Sequence, residues 1–409
     1  MSGSSAFQDW IDEARGVSIE QALAGRSTAL KPSGVERIGP CPVCGGRDGF
    51  SIHPGKRVFN CRRGGVGGDA IALVQHLDGC EFLVACEILN GRPPPDRTRG
   101  ETPEARAERE RAQAVRQAQA AQDEARKTEE ANRFRERERR ACWQHWDSAG
   151  RSLAGTPAEA YLRCRGLVVP EGAALRCAPE HDFFERLTVE GSSTKANRVI
   201  HTGPALLAAI RGPNGKFAGL HATWLDATRP SGKLEIFHPE TGELLPAKKV
   251  RGSATGGHIP LVRHAAPTDL VLGEGIETVL SVWRALSAAG WEHLAGAAFW
   301  AAYSLGNIGG AATKSVPHPS ETQTDSLGRV RARLVPGPVP DLSRPSLPIP
   351  ASVERVWLLG DGDSERVRTE NALHRGAVRF RAQRPGRQVV VCWAPAGEDF
   401  NDVLRRAAA

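Results

Sequence analysis

The chain has 409 residues, enough for two or three domains, and 40% of them are apolar, so at least one substantial core can form. It has no run of roughly eighteen apolar residues, and Met1-Ser2-Gly3-Ser4-Ser5 lacks the basic stretch and apolar segment of a secretory signal, so a soluble cytoplasmic protein with no membrane partner is expected. The net charge of +7 favours a polyanionic partner, and an odd number of cysteines, nine, argues against a disulfide framework and for free thiols plus one metal cluster.

In chain order, Ala6–Arg15 and Ser18–Ala24 read as short helices, followed by a cysteine-rich stretch and helices over Asp69–Leu77 and Glu81–Leu89. Gly67-Gly68-Asp69 ahead of an apolar run predicts a helix start with Asp69 as N-cap. These residues, 1–92, form a first domain. Residues 93–150 form a charged helical connector: Pro93-Pro94-Pro95 is a linker and Thr102–Trp146 a long exposed helix. Its mixed charges favour a solvated connector laced with ion pairs over a basic surface for DNA.

Residues 151–264 read as a mixed subdomain containing a strand pair, Leu206–Ile210 and Phe217–Trp224, joined by the turn Pro213-Asn214-Gly215. From 265 to 409 strands and helices alternate: Leu270–Gly273, Ile276–Leu286, Ala297–Ala302, Val356–Leu359, Glu365–Gln383, Gln388–Trp393 and Asn401–Arg406. Short apolar strands between amphipathic helices predict a parallel sheet covered on both faces, so the fold class is multidomain α/β. A Pro-rich insertion at about 311–352, with His318–Pro350 read as a loop, interrupts it.

Two constellations carry chemistry. Cys41-Pro42-Val43-Cys44 with Gly45-Gly46 behind has the spacing of a zinc knuckle, and Cys61 follows after a predicted hairpin carrying Phe50, Ile52, Val58 and Phe59. A fourth cysteine would stand near position 64, which is Gly64, so His53 in the hairpin is the candidate fourth ligand, and Cys80 and Cys86 are assigned to the core. Lys56, Arg57, Arg62 and Arg63 surround Phe59, a combination that suits single-stranded DNA; the alternative is a core Phe among solvated charges.

The second constellation is acidic. Glu274 follows one predicted strand, and Asp361 and Asp363 follow another, at the end of a parallel sheet where sites form. Carboxylates gathered there require a hard divalent cation, Mg2+ or Mn2+, of the kind that serves phosphoryl transfer. Asp399 or Asn401 is expected to cap the last helix, with Asp399 the alternative fourth carboxylate; Glu277, one turn beyond Glu274, is either in support of it or exposed.

Gly273-Glu274-Gly275-Ile276-Glu277-Thr278, Val356–Asp363 and Gly397–Leu404 resemble, in order and spacing, the Toprim domain of phage and mobile-element DNA primases. Tyr161–Leu167 resembles that family's opening motif, Pro204–Leu207 and Gly219–Leu225 its strand pair, and Lys248-Lys249-Val250-Arg251-Gly252 its basic loop. The N-terminal cysteines and Gly67–Ile71 resemble the zinc ribbon of bacterial primases, apart from the missing fourth cysteine.

The resemblance implies a zinc-ribbon DNA-binding domain at 1–92, an N-terminal catalytic subdomain at 151–264 and a Rossmann-like Toprim catalytic subdomain at 265–409. It implies that Glu274 acts as acid/base or metal ligand, and that Asp361 and Asp363 bind Mg2+ or Mn2+. Lys248 and Arg251, with Lys249 equally placed, would hold phosphates; Arg165, His221, Arg57 and Arg62 are the other substrate- or nucleic-acid-binding candidates. The implied activity is synthesis of short RNA primers from ribonucleotides on single-stranded DNA, for replication of a bacterial chromosome, plasmid or phage. With no G-x-x-x-x-G-K-[ST] loop in the chain, a separate replicative helicase is the expected partner. The rival readings are a Toprim nuclease and a non-catalytic DNA-binding accessory protein.

Overall fold

A computed structural model describes residues 3–26, 29–33, 35–95, 103–190, 194–324 and 329–408. The chain divides into two units, 1–126 and 127–409.

The first unit begins with helices α1 (Gly3–Gly16) and α2 (Ile19–Ala22), the second started by a reciprocal cap between Ser18 and Gln21. An antiparallel meander follows: β1 (Lys31–Ser33), β2 (Glu36–Cys41), β3 (Gly45–His53), β4 (Val58–Cys61) and β5 (Val66–Gly68), in that order across the sheet. Strands β1 and β2 lie where no strand is predicted, because Lys31–Cys41 is polar and Gly/Pro-broken and shows no clean alternation. Helices α3 (Ala70–Asp78) and α4 (Phe82–Asn90) close the unit. Trp10, Ile19, Phe50, Ile52, Ile71 and Leu73 form its core. Helix α5 (Pro103–Ser148) follows; its i,i+3 and i,i+4 pairs Arg126–Asp123, Arg133–Glu129 and Arg139–Glu136 are those of a solvated helix.

In the second unit the last turns of α5 bury Cys142 and Trp146. Next come α6 (Pro157–Cys164), β6 (Leu175–Thr188), β7 (Lys195–Arg211), β8 (Phe217–Trp224), the short β9 (Ile236–Phe237) and β10 (Leu244–Leu245), and β11 (Lys248–Gly252). Four of these make an antiparallel sheet in the order β11-β8-β7-β6. One face, with Phe183, Leu207 and Trp224, packs on α5; the other, with Leu206 and Ile210, shares a core with Val271, Val279 and Phe299. Lys248–Gly252, expected as a loop, is thus an edge strand, paired residue by residue with Gly219–Thr223.

The remainder is β12 (Ile259–Val262), β13 (Asp269–Gly273), α7 (Ile276–Ala288), β14 (Ala297–Ala301), α8 (Leu305–Gly309), β15 (Ser315–Thr324), β16 (Val330–Pro336), β17 (Arg355–Gly360), α9 (Arg366–Gln383), β18 (Gln388–Trp393) and α10 (Phe400–Ala408). The sheet order is β12-β14-β13-β17-β18, with β12 antiparallel and the other four strands parallel. Buried Asp269 accepts from Arg355 at 2.7 and 2.9 Å and from the Trp357 indole at 3.1 Å, pinning β13 to β17 in register.

The insertion is not a plain loop. Strands β15 and β16 pair as a hairpin, and Leu347, Ile349 and Val353 return into the core beneath α9. Arg375, Arg379 and Arg387 donate to the carbonyls of Gly337, Gly309 and Val353, and so satisfy backbone that no strand partner covers. Among the described residues no helix is long and apolar enough to cross a membrane.

Candidate functional site

In the first unit Cys41 ends β2, Cys44 closes the knuckle and Cys61 ends β4. The fourth donor is His76 on α3, not His53. The Sγ atoms of Cys41, Cys44 and Cys61 and a ring nitrogen of His76 all lie within 4.8 Å of one another. His76 Nε2 is 3.3 Å from Cys41 Sγ and 3.7 Å from Cys44 Sγ, whereas a tetrahedral zinc with ~2.3 Å Zn–S bonds sets ligand atoms about 3.8 Å apart. His53 instead caps the turn after β3, where its Nδ1 accepts from Lys56 N at 3.1 Å. His76 arrives because Asp69 caps α3, accepting from Ala72 N at 3.0 Å, and Ile71 and Val74 bury the face of the helix away from it.

The cluster fits a cation on its own chemistry. The amides of Cys44 and Gly64 donate to Cys41 and Cys61 sulfurs at 3.4 and 3.3 Å. Burial and hydrogen bonds to Cys61 and Cys41 push the Cys44 thiol up to about 11, whereas at Cys41 burial is outweighed by the Cys44 and Val43 amides and the neighbouring sulfurs, which lower it; a bound metal would relieve the crowding at Cys44. Gly64 explains the absent fourth cysteine: a Cβ there would stand 2.7 Å from the His76 ring, 3.3 Å from Cys44 Sγ and 3.4 Å from Cys61 Sγ. The imidazole fills the space that a cysteine side chain at this position would need. Phe59 is buried and stacks on His76 with centroids 6.0 Å apart, so it belongs to the core and offers no ring to a base. Arg57 and Arg62 remain exposed.

In the second unit Glu274 follows β13, and Asp361 and Asp363 follow β17, side by side at the C-terminal ends of paired parallel strands. Asp361 is raised to about 6, by burial first and then by the charges of Asp399, Asp363 and Glu274; Thr278 Oγ1 opposes this by donating at 3.1 Å. Asp361 thus feels the other three acids, yet among the described residues Glu274, Asp361 and Asp363 do not close to within 4.8 Å. Asp399 caps α10 reciprocally with Asp402, at 2.8 and 3.2 Å. Asn401 is no cap; it is buried and donates to Arg165 O and Ser281 Oγ.

Glu277 is not exposed. Burial disfavours its charge, but Lys233 at 3.0 Å and the Tyr161 hydroxyl hold it well below the carboxylate range. His221, buried and lowered to about 4 by desolvation, is a neutral imidazole whose Nδ1 has no partner among the described residues. Arg165 is held by Asn401 and Ser231 O and lies over the Tyr161 ring at 5.3 Å.

Strand period divides the basic segment. Lys248 pairs with Thr223 on the face of His221, while Lys249 and Arg251 pair with Ala222 and Leu220 on the α5 face. Lys248 and Arg251, grouped by sequence, therefore serve opposite sides. Lys249 bonds Glu185 at 2.7 Å, and Arg251 bonds Glu138 at 3.1 Å.

A further group, His318, Glu321 and Glu365, also lies within 4.8 Å. His318 Nδ1 accepts from Glu321 N at 2.8 Å, which leaves the proton on Nε2, 3.0 Å from Glu365; Arg333 and Arg368 take up Glu321. The group ties β15 to α9, with Glu321 bonded to Arg368 and His318 beside Glu365.

His76, Lys233, Tyr161 and Thr278 are absent from the sequence candidates. For His76 the only signal is a histidine on the helix that the Gly67-Gly68-Asp69 cap starts.

A family model described as a domain of unknown function (DUF7146) matches residues 136–261. A DNA primase of Halalkalibacterium halodurans is 33% identical over 86 residues, which are 21% of this chain and 14% of the relative. Among solved structures, the zinc-binding and RNA polymerase domains of the Aquifex aeolicus primase overlay with a TM-score of 0.32 at 15% identity, over 97% of this chain and 82% of that one. A DNA primase domain from Pseudomonas aeruginosa gives 0.35 at 15% identity, over 65% and 74%.

Proposed function

We propose that this chain is a Toprim-type DNA primase of the phage or mobile-element kind, making short RNA primers on single-stranded DNA with Mg2+ or Mn2+. The observation that carries the reading is the end of the parallel sheet, where Glu274 stands beside the Asp361-x-Asp363 turn and where Asp361 is raised by burial and, after it, by its acidic neighbours. Such repulsion is stable only with a cation or a proton to share. The primase similarity and the Cys3His cluster add support.

Asp361 and Asp363 would hold the metal, which supplies positive charge to the nucleotide phosphates. The 3′ hydroxyl of one nucleotide attacks the α-phosphate of the next, and pyrophosphate leaves. Glu274 would take the hydroxyl proton or complete the metal shell. Lys248 and Lys233, on the His221 side of the antiparallel sheet, would receive phosphates. Arg57 and Arg62 would meet template phosphates, zinc would hold the ribbon, and a separate helicase would open the duplex in the bacterial cytoplasm.

Primer synthesis on single-stranded DNA with labelled ribonucleotides tests this. Asp361→Ala and Asp363→Ala should each lose roughly 100-fold or more while the protein stays folded. Wild-type protein that makes no product but nicks supercoiled DNA would establish the nuclease. DNA binding without turnover would establish the accessory protein.

A further inference from the structure

On the α5 side of the antiparallel sheet, facing away from α7, lies a cavity of about 550 Å3. Its floor is Leu220, Ala222 and Trp224, all buried. Phe184 forms a wall, and Phe134 on α5, 55% exposed, overhangs it. Charges crowd the rim. Lys249 lies over the Phe183 ring at 4.4 Å and Arg251 over Phe184 at 5.9 Å, and each is held by one carboxylate, Glu185 and Glu138. Arg186, exposed at the same rim, has no carboxylate partner among the described residues.

We propose that this cavity is a second binding site, for one nucleotide unit of a single strand, with the base against Phe134 and Phe184 and the flanking phosphates on Arg186, Lys249 and Arg251. The inference rests on the primase reading only in naming the strand; the site itself stands on its own geometry. A flat aromatic base needs an apolar floor and an exposed ring, and its phosphates need cations beside that ring. All three are here. An acidic peptide would use the cations and leave Phe134 idle. Volume also fits, since pockets of about 300–1,000 Å3 take ligands of nucleotide size.

The rim pairs set the sign of the prediction. Glu138 occupies Arg251, and Glu138 sits on α5, so the helix sets its own carboxylate against one of the cations that a phosphate would use. An incoming phosphate must displace that carboxylate. Removing the Glu138 charge should therefore tighten binding, whereas a merely structural ion pair would give weaker binding when broken.

The test is fluorescence anisotropy of the full chain with a labelled dT oligonucleotide, at two salt concentrations. Phe134→Ala and Arg186→Ala should each weaken binding about fivefold or more. Glu138→Gln should tighten it about threefold or more relative to Glu129→Gln, a carboxylate on the same helix outside the cavity. An oligonucleotide carrying 5-iododeoxyuridine should crosslink to the peptide containing Phe134 or Phe184. A fluorescent ATP analogue, titrated in parallel, separates a strand from a free nucleotide: the variants should move the source that occupies the cavity. The proposal is overturned if folded Phe134→Ala and Arg186→Ala bind both probes within twofold of wild type, if Glu138→Gln is no tighter than Glu129→Gln, or if polyglutamate competes as well as unlabelled oligonucleotide. Primer synthesis on the same preparations keeps the two readings apart. Failed synthesis with these shifts intact sinks only the primase, and unchanged binding with normal synthesis sinks only the cavity.

Discussion

The thiol cluster and the acidic sheet end both gather side chains of metal-binding type, but they are built to different tolerances. Cys41, Cys44, Cys61 and His76 converge within 4.8 Å, three of the four on a tightly bonded meander and the fourth on a capped helix. Glu274, Asp361 and Asp363 hang from strand ends without closing to that distance, and Asp363 is exposed. A closed set of four soft donors leaves a zinc ion no position for substrate and so is structural. An open set of hard donors leaves room for phosphate oxygens. On the proposed reading, the difference separates a metal that makes the fold from one that would arrive with the reaction.

The largest effect that can break this comparison is removal of the first metal. Structural zinc is worth roughly 10 kcal/mol or more in apparent folding free energy, far above what this small core supplies alone. Chelation, or Cys61→Ser, should abolish a separate thermal transition of the first unit and release about one zinc per chain by metal analysis. His76→Ala should do the same. Gly64→Cys should be harmful alone, because its Cβ meets the His76 ring at 2.7 Å. In the His76→Ala background it should restore zinc, because the same Cβ stands beside both sulfurs. If Gly64→Cys fails to rescue His76→Ala while the other variants behave as described, the trade between the two positions is wrong.

Next in size is the pin beneath the acidic end. Asp269→Ala leaves Arg355 and the Trp357 indole without their acceptor, a loss of about 3 kcal/mol or more. Urea melts of the second unit should show it, and primer synthesis should fall as β13 and β17 lose register. An unshifted melt would mean the register is set by the apolar strands alone.

Asp361 gives a smaller, pH-dependent effect. Its folded value, about 6, lies above the ordinary carboxylate value, so the folded state favours the protonated acid. The stability this contributes is complete below about pH 4 and is lost as pH rises through 6. Asp361→Asn should therefore raise Tm by a few degrees at pH 8 and leave it unchanged at pH 4. Mg2+ should raise the wild-type Tm at pH 8, less so at pH 5, and not raise that of the variant. A wild-type curve blind to Mg2+ at both pH values would place the cation elsewhere.

Much of the second unit is legible in the sequence because local signals suffice. Pro213-Asn214-Gly215 marks the turn before β8, and the apolar runs Leu270–Gly273 and Val356–Leu359 leave few options other than buried strands. The misses share a cause. Lys248–Gly252 has too many charges to announce a strand, and once it is one, the period of two sends Lys248 and Arg251 to opposite faces. Hairpin β15–β16 is hidden by its prolines and polar residues, and β6 by its mixed polarity. His76 is invisible for a different reason: a ligand delivered by the next helix obeys tertiary packing, and no spacing rule reaches from Cys61 to it.

The smallest effect is the sharpest check on that last point. His53 and His76 lie in one unit, yet only one approaches the sulfurs. His53 holds Lys56 N, at the start of the turn that puts Arg57 at φ +55°. Losing that single exposed cap should cost about 1 kcal/mol or less. His53→Ala should therefore keep its full zinc content and lower the first transition by only a few degrees, while His76→Ala loses the metal. Equal zinc loss in the two variants would return the fourth ligand to the hairpin, and Gly64 would then need another explanation.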